Sequence, residues 1–191
     1  TGPEIWEQTA GKIDAFIISG YDEAEGDLID KNVPNLRNSL NQFDQKKISV
    51  EKLEEVYKAT ILRVLKEQED AGIDIITDGQ IRWDDLVTPF AKNIEGCEIN
   101  GLLRFFNNNV YYRKPVINSR LAFKAYTTLE DYKFARANYT KSLKVVFPGA
   151  LTWAKLSLDE YYNDLKTLVT DFSRHAGAEG RAPRPLFLAA V

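Results

Sequence analysis

The stretch Glu69–Asp85, EDAGIDIITDGQIRWDD, decides the fold. It reads as a helix end, a glycine stop, a short buried strand and an exposed polar turn. Gly72 stands where a left-handed residue closes a helix. Ile73-Asp74-Ile75-Ile76-Thr77 is short and β-branched, as a strand inside a parallel sheet is. Asp78-Gly79-Gln80 leaves that strand at its carboxyl end, where the loops of parallel α/β proteins converge on ligands. Arg82, Trp83, Asp84 and Asp85 follow at once. A carboxylate, an amide, a guanidinium and an indole therefore crowd one strand end.

Upstream, Ser49 reads as an N-cap. The helix behind it puts Leu53, Val56, Tyr57, Ile61, Val64, Leu65 and Gln68 on one face. Glu51, Lys52, Glu54, Glu55, Lys58, Arg63, Lys66 and Glu67 mostly fill the other, which reads as a solvated face. A shorter helix opens near Pro34, with Leu36, Leu40 and Phe43 on one face. Before it, Ala15-Phe16-Ile17-Ile18 is an apolar run that exits through Ser19-Gly20-Tyr21-Asp22, read either as a simple turn or as a second functional strand end. Strand, helices and strand in this order predict a right-handed βαβ unit.

Downstream the texture changes. Residues 98–106 and 110–117 are β-prone runs separated by Asn107-Asn108-Asn109, which predicts a β-hairpin inserted over the carboxyl face. Residues 119–126 read as a further extended stretch. Thr128-Leu129-Glu130-Asp131 resembles a capping box and predicts a helix through about Ala137. Leu143–Phe147 reads as a third core strand, leaving through Pro148-Gly149-Ala150-Leu151-Thr152. Ser157-Leu158-Asp159-Glu160 is an S-x-x-E capping box. The helix predicted behind it carries Leu158, Tyr161, Tyr162, Leu165, Leu168, Val169 and Phe172. From His175 the pattern breaks. Two readings stand for residues 175–191: a linker with a final strand, or a non-native tail behind a domain of residues 1–174.

The 191 residues suffice for one domain with a real core. A net charge of −3, from 25 basic and 28 acidic residues, leaves no electrostatic footprint for nucleic acid. No apolar run reaches membrane-spanning length. The start lacks a signal-peptide pattern, and Cys97 is the single cysteine, so a reducing, cytoplasmic setting is expected. Parallel strands would bring the exits at Ser19, Asp78 and Pro148 to one pocket. There Asp78 could accept from a substrate ammonium, Gln80 could bond a carboxylate or amine, and Arg82 could pair a carboxylate bidentately. Trp83 offers a flat face for a ring. The structural alternative has Asp78 capping a following helix and Arg82 pairing with Asp84 or Asp85. With one histidine, His175, and one cysteine, neither a metal cluster nor a Ser-His or Cys-His nucleophile is read.

Three ordered segments, ITDGQIRWDDLVTPF, GLLRFFNNNVYYRKPV and KVVFPGALTWAKLS, are similar to the cobalamin-independent methionine synthase family, in particular its short single-barrel members. The D-G-E/Q-x-R signature matches Asp78, Gly79, Gln80 and Arg82. The P-G-P-x-T exit matches Pro148, Gly149, Leu151 and Thr152, with Ala150 in place of proline. The resemblance implies a (β/α)₈ barrel of the methionine synthase / uroporphyrinogen decarboxylase-like type, of which this chain would be the amino-terminal part. It implies methyl transfer to the thiol of homocysteine from methyl-tetrahydrofolate, or from a methyl-corrinoid in short relatives. It also implies a zinc ion that activates the thiol, with ligands from the barrel's later half and so none in this chain. By resemblance, Ser19 and Gln80 hold the amino-acid part of homocysteine. Two departures stand out: Ile18-Ser19-Gly20-Tyr21-Asp22 replaces the usual I-G-S-[FY]-P, and Gln80 replaces a glutamate. A partial barrel exposes sheet edges, so self-association and weak zinc affinity are expected of the isolated chain. The alternative reading is a non-catalytic domain that binds an amino acid or pteridine on a related barrel.

Overall fold

The computed structural model describes residues 35–104, 111–179 and 187–190. The expected strand at residues 15–18 and its exit at Ser19 lie outside the described residues. Asn35 caps the first helix, α1 (Leu36–Asp44), accepting from Asn38 N through Oδ1 at 2.7 Å. Phe43, expected on the apolar face of α1, is exposed; Ser39 is the buried residue. Ser49 caps α2 (Val50–Asp70) as its sequence predicts, Oγ accepting from Lys52 N.

The stop after α2 explains why the strand behind it is short. Gly72 has φ +77°, and the amides of Gly72 and Ile73 turn back to the carbonyls of Glu69 and Gln68, each at 3.0 Å. These bonds satisfy carbonyls that the helix end leaves open, and they commit the Ile73 N–H to the helix. The backbone of Thr77 is taken by the Gln68 side chain, which donates to its carbonyl at 2.8 Å and accepts from its amide at 3.0 Å. Of the expected strand over residues 73–77, only Ile75–Ile76 pairs as β1.

β1 lies parallel to β4 (Ser142–Phe147), with Ile75 opposite Ser142 and Ile76 opposite Leu143. On its other side β4 pairs, also in parallel, with β6 (Phe187–Ala190). The sheet order is β1–β4–β6. Strands of one direction joined through helices make this an α/β arrangement.

The predicted hairpin forms but is longer than expected. β2 (Ile94–Arg104) runs antiparallel to β3 (Tyr111–Phe123), so residues 119–123 continue β3 and are not a separate stretch. Gly96 sits at φ +80° beside a register shift, where a Cβ would lie 2.5 Å from the Arg120 carbonyl oxygen; only glycine fits that bulge. A third strand, β5 (Leu158–Asp159), joins parallel to β3 and turns the hairpin into a separate small sheet. Between β1 and β2 lies a single helical turn, α3 (Thr88–Ala91).

Both predicted capping boxes are corrected. Thr128 precedes α4 (Leu129–Asn138) with helical dihedrals in place of the extended ones a cap takes and makes no side-chain cap, while the Asp131 carboxylate pairs with Arg82. Ser157 does not open a helix. It closes α5 (Ala150–Leu156), its Oγ donating to Trp153 O at 2.9 Å, and the chain then enters β5. The next helix, α6 (Leu165–Glu179), is opened by Asp164, whose Oδ2 accepts from Thr167 N at 2.9 Å. Leu158, Tyr161 and Tyr162 therefore precede the helix that was to hold them. Tyr162 instead donates to Asp171 at 2.6 Å and accepts from Leu121 N at 2.9 Å, tying β3 to α6. α6 runs through His175, which is buried, so the helix passes the boundary expected at Arg174.

Among the described residues two apolar clusters form the core. One packs α2, β1, α4 and β4 together through Ile61, Leu65, Ile76, Ala135 and Leu143. The other joins the hairpin sheet to α3, α5 and α6 through Phe90, Ile117, Leu121, Trp153, Leu168 and Phe172. Among the described residues no helix is long and apolar enough to cross a membrane.

Candidate functional site at the end of the first described strand

The turn behind β1 is tight and left-handed. Gly79 has φ +74° and Gln80 φ +55°, the second unusual for a residue with a side chain. Side chains hold it from within. Thr77 Oγ1 accepts from Gly79 N at 3.1 Å, and Asp78 Oδ1 accepts from Gln80 N at 3.2 Å. Asp78 thus makes an Asx turn and does not cap a helix. Trp83 N closes the turn on Gln80 O at 3.0 Å.

One stripe of α2 supports this turn from below. Glu54, Tyr57, Val64 and Gln68 lie three or four residues, or multiples of a turn, apart and so share a face. Gln68 pins Thr77. Val64 packs so close to Gly79 that a Cβ there would come within 2.7 Å of its Cγ1. Tyr57 lies under the Arg82 guanidinium, 4.8 Å from ring centre to Cζ. Glu54 takes Arg82 in a fork, with Nη1 and Nη2 each 2.6 Å from a carboxylate oxygen.

Arg82 is engaged on its other edge as well. Its Nε donates to Asp131 Oδ1 at 2.7 Å, so α4 holds it opposite α2. The pairing with Asp84 or Asp85 does not occur. Asp84 pairs with Lys92, and Asp85 accepts from the amides of Val87, Thr88 and Arg113 and from the Thr88 hydroxyl. Asp85 thereby fastens the turn segment to β3. The expected two-bond grip of Arg82 on a substrate carboxylate is occupied by Glu54.

The electrostatics divide the three carboxylates. The hydrogen bonds from Arg82 hold Glu54 below the usual carboxylate range. Burial raises Asp131 even though the same guanidinium pulls it down. Its side chain is 13% exposed against 40% for Glu54, which is why one guanidinium leaves its two partners shifted in opposite directions. Asp78 is pushed up to about 6, first by desolvation, then by the nearby Asp131 charge, against the bond from Gln80 N. A carboxyl that titrates there can accept a proton or an ammonium near neutral pH.

Asp78 and Trp83 line a small cavity with Thr128, Tyr132 and Ala135 of the α4 segment and Leu143–Val146 of β4. The cavity meets the body of β4 and not its exit: Pro148 and Thr152 are not among its lining residues, so of the three exits expected to converge there it holds that of Asp78. The link continues through rings: Trp83 meets Phe90 edge-on at 5.1 Å, Phe90 meets Trp153 at 5.5 Å, and Trp153 stacks on Phe172 at 4.5 Å. Trp83 is thus partly packed into the core. Thr152, expected in a loop, lies in the first turn of α5 and is half-buried next to Trp153. Gln80 is half-buried in the turn itself. Ser19 lies outside the described residues.

Glu54 and Asp131 were missed by sequence reasoning, one as a solvated charge and the other as a cap. The signal for Glu54 was present, since it continues the Tyr57–Ile61–Val64–Gln68 stripe by one step. Nothing local marked Asp131, which meets Arg82 across 49 residues.

For a metal, no group of three or more His, Cys, Asp or Glu side chains comes together among the described residues. Burial pushes the Cys97 thiol up to about 12 and lowers the basicity of His175; the two stand on β2 and α6. Burial thus opposes the thiolate a zinc site takes from cysteine, whereas His175 is held in the neutral form that binds zinc but belongs to no such group among the described residues.

Comparison with known proteins identifies the family. Residues 32–178 match the family model described as "Cobalamin-independent synthase, Catalytic domain". A methionine synthase of Saccharolobus islandicus is 36% identical over 145 residues, which cover 75% of this chain and 43% of that protein. A methionine synthase of Sulfurisphaera tokodaii is 34% identical over the same shares. The chain thus spans less than half the length of these relatives. Among solved structures, a B12-independent methionine synthase from a Shewanella species, in complex with selenomethionine, superposes with a TM-score of 0.63 at 23% identity, covering 71% of this chain and 40% of that one. A putative vitamin-B12 independent methionine synthase from Listeria monocytogenes gives a TM-score of 0.63 at 18% identity, covering 81% of this chain and 46% of that one. The family-model match over residues 32–178 and the relatives at 34–36% identity lead to one conclusion: this chain belongs to the cobalamin-independent synthase family, within its catalytic domain.

Proposed function

We propose that this chain is the amino-terminal part of a (β/α)₈ barrel methyltransferase that passes a methyl group from a methylfolate to the thiol of homocysteine, giving methionine. The observation that carries the reading is Asp78: a carboxyl at the carboxyl end of a parallel strand, lining a cavity, with its proton affinity raised by burial. In this role Asp78, as carboxylate, accepts from the substrate ammonium. Gln80 offers its amide to the amino-acid part, Trp83 borders the site with its ring, Thr152 offers a hydroxyl from α5, and Ser19 is assigned to the amino-acid part by the family resemblance alone. Gln80 carries no charge, so the ammonium is balanced by Asp78 and not by the glutamate of the family signature.

Zinc supplies thiolate activation in the family expectation. The described residues do not fit it, so none is given a role with the metal. Association through open sheet edges and a cytoplasmic setting belong to the same reading. Membership of the catalytic-domain family favours it over a non-catalytic amino-acid or pteridine binder.

Isothermal titration of the chain with homocysteine, methionine and methyl-tetrahydrofolate tests it. Binding of the two amino acids that Asp78→Asn weakens at least tenfold is the expected result. No heat with any of the three, or unchanged affinity in the variant, would overturn the assignment.

A further inference from the structure

We propose that Arg82 is a positioning residue and not a substrate ligand: clasped between Glu54 of α2 and Asp131 of α4, it fixes the Asp78–Trp83 turn at the strand-end cavity. The inference deepens the functional reading above and rests on it for the identity of the ligand.

Geometry carries the argument. The guanidinium has few ways to hold two carboxylates and a ring at once, and Arg82 does so through a fork at 2.6 Å, an Nε bond at 2.7 Å and a Tyr57 face at 4.8 Å. Its side chain is 26% exposed, so these bonds are only partly screened by water. Both helices that flank β1 and β4 are thereby tied to one residue of the turn. That turn needs such a tie, because Gln80 sits at φ +55°, a conformation a side-chain-bearing residue leaves readily unless its surroundings hold it. Asp78 and Trp83, at the two ends of the tied segment, are the turn residues that line the cavity.

The rival role for Arg82, direct pairing of a substrate carboxylate, makes the opposite prediction for one variant. Glu54→Gln removes the fork's charge without changing its size. Were Arg82 a ligand, the freed guanidinium would bind homocysteine as well as before or more tightly. As a positioning residue it loses its anchor, and the turn loosens. Titration of the chain with homocysteine is expected to show Glu54→Gln and Arg82→Lys each weakened about fivefold or more, with the melting temperature of Glu54→Gln little changed. Equal or tighter binding by Glu54→Gln overturns the proposal.

A ligand-free readout separates this from failure of the functional reading. The Asp78 carboxyl faces Asp131 and Tyr132 from α4, Lys144 from β4 and Arg82 from its own turn. Carboxyl-carbon NMR is expected to find its titration midpoint lower in Asp131→Asn, and the Trp83 indole N–H signal broadened or split in Glu54→Gln. If wild type binds no amino acid yet both signals move, the homocysteine reading falls and the clasp stands. If neither signal moves, the clasp falls whatever the ligand.

Discussion

β1 and β4 lie side by side in one parallel sheet, yet the segments that leave them are built in opposite ways. Behind β4, Pro148 and Gly149 pass straight into α5, and Trp153 is locked between Phe90 and Phe172. Behind β1, a left-handed turn carries Asp78 into a site that disfavours its charge, next to an arginine held by two other carboxylates. The first arrangement is what burial of apolar surface produces unaided. The second costs stability. A polar, strained strand end thus stands beside an apolar, relaxed one, and the strain is confined to the Asp78–Trp83 turn.

The contrast can be broken most severely on the apolar side. Phe90→Ala removes the ring between Trp83 and Trp153 and is expected to cost about 3–5 kcal/mol in denaturant unfolding, at every pH. Loss of only a few tenths would show that the aromatic chain is not the scaffold of the site.

The polar side responds in the opposite sense. The folded-state pKa of Asp78 is raised, to about 6 from 3.8. Between those values the native state keeps a proton that the unfolded state releases, so stability falls as pH rises through that window. The cost is then fully present above about pH 6, on the order of 2–3 kcal/mol. Asp78→Asn keeps the acceptor for Gln80 N and is expected to recover about 2 kcal/mol at pH 7 while losing the binding response.

Smaller effects sharpen the reading of the turn. Gly79→Ala combines φ +74° with a Cβ 2.7 Å from Val64 Cγ1 and is expected to cost about 1–2 kcal/mol. A neutral result would mean that α2 yields there and does not brace the turn. Last, Asp164→Ala should lower the thermal stability of α6, because Asp164 is its cap. Ser157→Ala should cost less, because that hydroxyl only closes α5. The reverse order in thermal unfolding would restore the cap at Ser157.

Much of this architecture was legible from local signals. Ser49, Gly72 and the alternation of strand and helix placed α2, β1 and β4, because caps, glycine stops and apolar periodicity act over a few residues. The failures have a common cause. Ser157-Leu158-Asp159-Glu160 has the letters of a capping box, but β3 offers a strand edge that pairs Leu158 and Asp159 first. Thr128–Asp131 has them too, but Asp131 is drawn to Arg82, a stronger partner than a backbone amide. At the site itself, Asp78 and Trp83 could be read from the strand end. Arg82's true partners could not, because a guanidinium's choice between substrate and protein is settled by helices that meet only in three dimensions.

The most direct test of the account is chemical denaturation of wild type and Asp78→Asn side by side at pH 3.5 and pH 7. The account predicts near-equal stability at pH 3.5, where Asp78 is protonated in the folded chain and mostly so in the unfolded one, and a more stable variant at pH 7. A variant no more stable than wild type at pH 7 would contradict the claim that this strand end holds its carboxylate against the interest of the fold.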